Sequence, residues 1–167
     1  SHNKMADDIN QKKIKELGGK SHTYKADVVG EFKETQYPND EVLELKVGAQ
    51  IMFIRNDTSP DKKYYNGKLA QISYLDEDEI SVILDGSEEE ITLKAETWEQ
   101  KKYSLDADKN IQEEVLGSFK QFPIRLAWAV TIHKSQGLTF DRLIIDAGKS
   151  FASGQVYVAL SRCRTLE

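Results

Sequence analysis

The sequence has few of the features that mark secreted or membrane-bound proteins. Its 167 residues include a single cysteine, Cys163, so neither an internal disulfide nor a cluster of thiolate metal ligands can form. No apolar run approaches the roughly 18 residues needed to cross a membrane, and residues 1–10 lack the basic and apolar regions of a signal peptide. These absences predict a soluble globular protein of the reducing cell interior, with no membrane partner.

An overall positive charge is also absent, since the formal net charge is -5 at pH 7. The charge is, however, unevenly distributed along the chain. Residues 74–116 contain 14 Asp and Glu against 4 Lys, whereas residues 120–167 contain 7 Lys and Arg against 3 acids. Because an acidic surface repels phosphate, any nucleic-acid contact is expected mainly in the C-terminal part.

The first forty residues contain one helical pattern. Residues 4–17 are predicted to form a helix that ends at Gly18 and Gly19, because four apolar residues recur near helical spacing: Met5, Ile9, Ile14 and Leu17. Residues 20–40 show no sustained period and contain Pro38. We therefore expect a connection there, with one short strand at residues 24–29.

A series of strand signals follows. Four short segments are rich in Ile and Val and are separated by turn residues, without an intervening helix: residues 47–55, 69–75, 79–84 and 90–93. Four or five consecutive short strands predict a meander that curls into a small SH3-like barrel. We expect residues 101–110 to form a loop and residues 114–119 to supply the last barrel strand.

The composition changes after residue 122. Residues 123–130 are apolar enough to be buried, and residues 143–145 are a largely β-branched run typical of a buried parallel strand. A helix is expected at residues 154–162, with three apolar residues on one face: Val156, Tyr157 and Leu160. A buried strand followed by a loop and a helix is an α/β pattern, so the barrel is expected to interrupt, or to be attached to, part of an α/β domain.

Residues 131–137 (TIHKSQG) bring hydroxyl, imidazole, ammonium and amide groups together directly after the apolar segment. Such groups bind phosphate oxygens, and at the start of a helix they would act beside free backbone N–H groups. A solvated turn whose polar side chains have no function fits the spacing equally well. A single histidine such as His133 is structural in most proteins.

Two arginines end the C-terminal helical segment. Arg162 and Arg164 follow the apolar run 156–160, from which a planar guanidinium could reach a phosphate across an interface. Alternatively, both arginines neutralise the negative end of the helix, a contribution of only about 0.3–1 kcal/mol.

Together, and in this order, these segments resemble a known family. Residues 126–146 (LAWAVTIHKSQGLTFDRLIID) and 154–162 (GQVYVALSR) closely resemble motifs V and VI of superfamily 1 DNA helicases, in particular the RecD-like branch that includes the Pif-type enzymes. Residues 3–10 (NKMADDIN) resemble the part of motif IV that follows a lost strand. Residues 45–57 (LKVGAQIMFIRND) resemble the opening of the family's inserted barrel.

The resemblance implies an α/β fold, namely a partial RecA-like second motor lobe of the P-loop NTPase type with a small SH3-like β-barrel inserted into it. Residues 1–40 are then the N-terminal part of the lobe, with the motif IV helix and a connection. Residues 41–119 form the inserted barrel. Residues 120–167 return to the lobe and carry motifs V and VI.

The resemblance also implies roles for single residues. Arg162 matches the catalytic arginine that reaches the γ-phosphate of ATP across the lobe interface, and an arginine finger of this kind contributes roughly 10³–10⁵ in turnover. Gln136 and Gly137 match the part of motif V that faces the nucleotide. Four residues match the part that contacts the single-stranded DNA backbone: Thr131, His133, Lys134 and Ser135.

The chain lacks the ATP-binding half of such an enzyme, because it contains no G-x-x-x-x-G-K-[ST] loop and no suitable acidic residue after a strand. ATP and Mg²⁺ would be held mainly by a missing N-terminal RecA-like lobe, a partner in the same protein. The fragment is expected to be a monomer that holds no cofactor or metal and neither hydrolyses ATP nor unwinds DNA. The full-length enzyme is expected to move 5′ to 3′ inside the cell, near the nucleoid in a bacterium.

Two other functions are compatible with the sequence. The chain could be a stand-alone single-stranded nucleic-acid-binding or adaptor module that has helicase-like motifs without a motor. It could also be a structural interaction domain whose barrel recruits a protein through its acidic face. The barrel is a poor candidate for strong phosphate binding, although four basic residues on its early turns could guide a strand: Arg55, Lys62, Lys63 and Lys68.

Overall fold

A computed structural model describes residues 2–105, 110–146, 148 and 153–165. Two α-helices, ten strands and one short 3₁₀ helix follow one another in these residues: α1 (His2–Glu16), β1 (His22–Lys25), β2 (Asp27–Gly30), the 3₁₀ helix (Glu34–Gln36), β3 (Val42–Leu45), β4 (Gln50–Phe53), β5 (Leu69–Leu75), β6 (Ile80–Leu84), β7 (Glu90–Leu93), β8 (Glu96–Leu105), β9 (Ile111–Gln121), β10 (Ile124–Leu126) and α2 (Ser153–Leu160). Helices and sheets thus combine as the sequence predicts.

Helix α1 confirms the predicted N-terminal helix, but its buried face differs from the expected one. Ile14 is buried, whereas Ile9 is 46% exposed. Asn10, four residues before Ile14, lies on the buried face instead. The buried stripe of α1 therefore includes a polar side chain that a count of apolar residues does not detect.

The connection after α1 contains two strands rather than the single strand expected at residues 24–29. Strand β1 pairs with β3, and strand β2 pairs with β9, both antiparallel. Ala26 separates the two strands and donates its backbone N–H to the carbonyl of Glu41 at 2.7 Å. The chain changes from one sheet to another at this residue, and periodicity alone gives no sign of such a change.

A five-stranded antiparallel sheet with the order β10-β4-β5-β6-β7 contains most of the core. It confirms the four strands expected between residues 47 and 93. Its apolar side chains pack with residues of β1 and β3 into one cluster, in which Ile51, Phe53 and Ile80 are fully buried. The expected closed SH3-like barrel is not confirmed, since β10 and β7 are the edges of this sheet among the residues described.

Residues 101–105 belong to the long strand β8, so the prediction of a loop across 101–110 is wrong for this part. Residues 106–109 lie outside the described residues. Strand β9 includes the expected strand at 114–119, but β9 pairs with β8 and β2 and not with the five-stranded sheet. Much of β8 and β9 is exposed on both faces, so the sequence shows neither the alternation nor the apolar run that indicates a strand.

Two expectations for the C-terminal part are also wrong. Residues 143–145 form no strand, and Ile144 is 97% exposed. A parallel strand needs hydrogen-bonded neighbours, and the one parallel contact in the described residues is the isolated bridge between Phe140 and Cys163. Helix α2 is present, but its buried residue is Ala159, whereas Tyr157 and Leu160 are exposed.

A second, smaller apolar cluster joins the five-stranded sheet to the C-terminal part. Met52 of β4 packs there with Ala127, Leu138 and Phe140. Gly67, which has a φ of 94°, lies against Leu138 so closely that a Cβ atom at position 67 would be 2.4 Å from Leu138 Cδ2. The turn before β5 therefore fixes the chain directly after residue 137. None of the helices described is both long and apolar enough to span a membrane.

Candidate nucleic-acid interface

Residues 131–137 form a compact series of turns and not the start of a helix. The backbone N–H of Ser135 donates to the carbonyl of Thr131 at 3.0 Å, and that of Gln136 donates to the carbonyl of His133 at 3.3 Å. Gly137 then adopts a φ of 83°, a left-handed conformation that a regular helix cannot include and that glycine accepts readily. We call residues 131–137 the turn segment.

The turn segment turns its polar side chains in different directions. His133, Lys134 and Gln136 are exposed, and Thr131 is half-buried while its hydroxyl oxygen accepts the backbone N–H of Lys134 at 3.3 Å. Ser135 is only 5% exposed, and its hydroxyl donates to the carbonyl of Ile132 at 2.8 Å. In this conformation Ser135 stabilises the turns, whereas three of its neighbours present their side chains to solvent.

Arg162 lies at the exit of the turn segment. Its Nη1 donates to the carbonyl of Leu138 at 3.3 Å, and its Nε donates to the carbonyl of Val158 at 3.1 Å. Its Nη2 donates to the hydroxyl of Ser161 at 2.9 Å. The side chain is half-buried, so it is neither sealed inside the fold nor separated from the turn segment. The bond to Val158 also places the guanidinium beside a carbonyl in the last turn of α2, where a positive charge is favourable, as the simpler interpretation expects.

The backbone holds the two motif-like segments side by side. The N–H of Phe140 donates to the carbonyl of Arg162 at 2.9 Å, and the N–H of Arg164 donates to the carbonyl of Phe140 at 3.4 Å. Arg164 itself forms an ion pair with Asp141 at 3.2 Å, with both side chains 67% exposed. The residues matching motifs V and VI therefore meet at Leu138 and Phe140.

Asn10 is a site residue that counting charged and hydroxyl groups does not find. Its Nδ2 donates to the carbonyl of Ala129 at 2.9 Å, and its Oδ1 accepts the backbone N–H of Ala129 at 2.9 Å. Asn10 joins α1 to the chain two residues before the turn segment. In the sequence, the feature that indicates Asn10 is its position one helical turn before Ile14, on the same face of the predicted helix.

A cleft of about 230 Å³ lies between α1, β3 and the turn segment. Lys134 and Arg125 line it, together with three carboxylates: Asp7, Asp40 and Glu44. Burial lowers the pKa of the Arg125 guanidinium, an effect that Asp40 and Asp7 partly offset. Because the acids outnumber the cations, the net charge of this cleft does not favour a phosphate, although the side chain of Lys134 is itself exposed to solvent.

The basic residues near the five-stranded sheet are largely engaged within the protein. Arg55 lies 5.2 Å above the ring of Trp98 and 3.4 Å from a carboxylate oxygen of Glu96. Lys63 is 3.0 Å from Glu89, an interaction that raises the pKa of Lys63. Lys68 donates to the carbonyl of Asp85 at 2.7 Å. Lys62 is exposed. Three of the four side chains expected to guide a strand thus have protein partners.

Comparison with known proteins identifies the family. The ATP-dependent DNA helicase Pif1 of Campylobacter jejuni is 35% identical over 173 aligned residues, an alignment that covers 96% of this chain and 38% of the relative. The unliganded Pif1 structure from Bacteroides sp. is 42% identical, covers 99% of this chain and has a TM-score of 0.90. The chain is homologous to part of a Pif1 helicase.

The homology concerns only a part of each Pif1 protein. The chain spans 37% of the unliganded Bacteroides Pif1 and 38% of the C. jejuni Pif1. A Bacteroides Pif1 structure in complex with ADP-AlF3 and ssDNA is also similar, with 42% identity, 99% coverage of this chain and a TM-score of 0.78. No family model matches the chain. The predicted resemblance to Pif-type helicases of superfamily 1 is confirmed.

In the part of the chain that the structure describes, no group of three or more His, Cys, Asp or Glu side chains is arranged to hold a metal ion. The groups that could contact a phosphate are instead the turn-segment side chains and the Arg162 guanidinium. The ammonium of Lys134 and the guanidinium of Arg162 suit an anionic oxygen and not a metal ion, because neither group can coordinate a cation.

Proposed function

We propose that this chain is the second motor-lobe part of an ATP-dependent DNA helicase, which contacts the single-stranded DNA backbone and supplies an arginine to ATP bound on a first lobe. The observation that carries the proposal is the meeting of the turn segment and Arg162 at Leu138. The guanidinium of Arg162 donates to the carbonyl of Leu138, the residue directly after Gly137. A movement of Arg162 toward a nucleotide would therefore change the contacts of the turn segment, and a movement of the turn segment would change those of Arg162.

The proposal assigns DNA contact to Thr131, His133 and Lys134, whose exposure or partial exposure supports that role. Ser135, also predicted to bind DNA, contributes in this conformation by holding the turns through Ile132. Lys134 would neutralise a phosphate without selecting a base. The Bacteroides relative crystallised with ssDNA supports single-stranded DNA as the partner.

Arg162 is the proposed arginine finger, and Gln136 and Gly137 would face the nucleotide beside it. The guanidinium offers planar donors that match phosphate oxygens. To reach a nucleotide, it would exchange its bonds to Leu138 and Ser161 for bonds to the γ-phosphate. Bound ATP with Mg²⁺ would supply the free energy of hydrolysis. Closure of the lobes and their reopening would then move the protein along the strand, in the 5′ to 3′ direction that the RecD-like branch suggests.

The domain division also remains part of the proposal. Residues 1–40 and 120–167 would belong to the motor lobe, and residues 41–119, with an SH3-like topology, would be inserted into it. Ile144 is 97% and Tyr157 is 74% exposed, and contact with a first motor lobe would bury apolar surface of this kind.

Turnover tests the arginine assignment. The chain is joined to a first motor lobe that carries an ATP phosphate-binding loop, and ATP hydrolysis is measured with saturating oligo-dT. Arg162→Lys is expected to lower kcat by roughly 10³ or more, because a point charge does not replace the planar fork. Arg164→Lys is the matched control, since the side chain of Arg164 forms an exposed ion pair with Asp141. An unchanged kcat in Arg162→Lys would rule out the arginine finger.

Salt dependence tests the DNA contact in the same joined protein. Lys134→Ala is expected to weaken oligo-dT binding and to reduce the slope of log K against log salt by about 0.7, the value for one lost phosphate contact on a single strand. Lys94→Ala, an exposed lysine after β7 in the acidic part of the chain, should change neither quantity. Equal effects of the two substitutions would show that Lys134 acts only through net charge.

A further inference from the structure

The side-chain amide of Asn10 forms two hydrogen bonds with the backbone of Ala129, which together close a ring. Both bonds are 2.9 Å long, they join residues 119 positions apart, and Asn10 is only 7% exposed. A carboxamide carries one donor and one acceptor side by side, so it pairs with a peptide group as a neighbouring strand would. The ring satisfies the backbone N–H and C=O of Ala129, which belongs to none of the strands in the residues described.

The position of this ring decides what it can do. The chain before Ala129 is held to β4 by two hydrogen bonds between Ala127 and Gln50. The N–H of Ala127 donates to the carbonyl of Gln50 at 3.0 Å, and the carbonyl of Ala127 accepts from Gln50 Nε2 at 2.8 Å. Trp128 packs against the main core cluster, and the Asn10 side chain then holds Ala129, two positions before Thr131. The hydrogen bonds inside the turn segment are local and therefore fix its shape but not its direction.

The exit of the turn segment is anchored separately, by the buried side chains of Leu138 and Phe140 and by the bond from Arg162 to Leu138. The entry is thus held by the hydrogen bonds of Asn10 and by Val130, which packs against the second apolar cluster, whereas the exit is held by that cluster and by Arg162. Loss of the Asn10 hydrogen bonds would leave the entry held by side-chain packing alone, so the segment could change direction and its internal turns would open more often.

We propose that Asn10 is a positioning residue, which orients the turn segment so that Thr131 and Lys134 point toward the nucleic acid. The part of this inference that concerns DNA rests on the proposed function. The part that concerns order in the turn segment does not. The simpler alternative is that Asn10 only satisfies its own buried amide and stabilises the whole fold.

Asn39 provides a matched control. It is also buried, and its Nδ2 donates to the carbonyls of Phe122 at 3.0 Å and Ile124 at 2.9 Å. Asn39 therefore makes the same number of backbone bonds to the same part of the chain, but several residues before Ala129. Its Oδ1 also accepts a hydrogen bond from Arg125 Nη2 at 3.5 Å. Asn39→Ala therefore removes at least as many interactions, at residues 122–125 and not at the entry of the turn segment.

Amide hydrogen exchange on the 167-residue chain tests the positioning role without DNA. Asn10→Ala is expected to speed exchange at Ser135 and Leu138 by about 10-fold relative to the amides of β5, because two hydrogen bonds are lost. Asn39→Ala should not change that ratio. If Asn10→Ala does not fold, Asn10→Asp is measured instead. It keeps the acceptor for the Ala129 N–H, so it should speed exchange at Ser135 and Leu138 relative to β5 by less than about 10-fold. Uniform acceleration across the chain would overturn the proposal.

A double-mutant cycle on the joined protein tests the consequence for DNA. Asn10→Ala is expected to weaken oligo-dT binding about 10-fold alone but only about 2-fold in a Lys134→Ala background, because residues acting through one contact are not additive. Asn39→Ala should have the same effect in both backgrounds. Additivity of Asn10→Ala with Lys134→Ala would contradict the positioning role.

The two experiments separate the two ideas. If Lys134→Ala leaves oligo-dT binding unchanged, the proposed DNA contact fails, and the exchange ratio still decides whether Asn10 orders the turn segment. If Lys134→Ala weakens binding while Asn10→Ala changes neither the exchange ratio nor the affinity, the proposed function stands and the role of Asn10 is rejected.

Discussion

The five-stranded sheet and the C-terminal part differ in how far their apolar side chains are buried. In the sheet, Ile51, Phe53 and Val82 are fully buried against one another and against β1 and β3. In the C-terminal part, Ile144 is 97% exposed and Tyr157 is 74% exposed. The sheet packs most of its apolar side chains into one core, although Tyr74 and Ile83 are exposed, whereas the C-terminal part buries fewer of its apolar side chains.

The difference coincides with the distribution of candidate functional groups. The turn segment and Arg162 both lie in the C-terminal part, and they are held by a few contacts at Leu138 and Phe140. A segment with few buried contacts can change its arrangement at low free-energy cost. A part that responds to nucleotide and DNA would need this property, and the sheet would provide the rigid support.

Isoleucine truncation should separate the two regions most strongly. Ile51→Ala is expected to lower the free energy of unfolding by about 2–5 kcal/mol, because it leaves a cavity in a close-packed core. Ile144→Ala makes the same chemical change at a residue that is 97% exposed, and it should alter stability by less than about 0.5 kcal/mol. Urea denaturation of the chain measures both. Similar losses for the two variants would show that Ile144 is covered in solution.

A glycine substitution tests the contact between the regions. Gly67→Ala should destabilise by about 2–4 kcal/mol, since it combines a left-handed backbone with a Cβ only 2.4 Å from Leu138 Cδ2. Gly86→Ala has a similar φ of 74° but meets nothing within 4 Å, so only the backbone strain of about 1–2 kcal/mol remains.

The difference between the Gly67 and Gly86 variants in thermal or urea unfolding isolates the packing of the β5 turn on Leu138. Equal losses would mean that Leu138 moves aside easily, and the second apolar cluster would then be a weak anchor for the turn segment.

Secondary structure can be predicted from this sequence where the local pattern of apolar and turn residues matches the burial in the fold. Strands β5, β6 and β7 could be predicted closely because their apolar residues and turns are local signals. Residues 143–145 carry an equally strong signal, yet they form no strand, because a parallel strand requires neighbours that the described residues do not provide. The pairing of β9 with β2 and β8 is likewise a long-range property.

The candidate site shows the same limit. The types and order of residues in 131–137 and 154–162 suffice to indicate the family, because those side chains carry the motif. Neither the burial of Ser135 nor the bond from Arg162 to Leu138 follows from spacing, since both depend on the turn that Gly137 permits. Asn10 was within reach of the sequence only as a polar residue on a buried helical stripe.

The smallest expected difference is a pH effect confined to the sheet core. Burial, with a contribution from Asp76 for Tyr24 and from Asp57 for Tyr64, raises the pKa of both tyrosines from 10.0 to about 12. The folded state therefore holds each phenol proton more firmly than the unfolded chain does. The stabilisation is complete below pH 10 and is lost as the pH rises from 10 to 12.

Urea unfolding at pH 9 and pH 11.5 measures this loss. The double variant Tyr24→Phe and Tyr64→Phe should lose less stability between the two pH values than the parent chain, by about 1 kcal/mol after solvent screening of these partly accessible groups is allowed for. Each single variant should remove about half of the difference. An unchanged pH slope in the double variant would mean that both hydroxyls reach water in the folded state, so the sheet core would be less closed than its packing indicates.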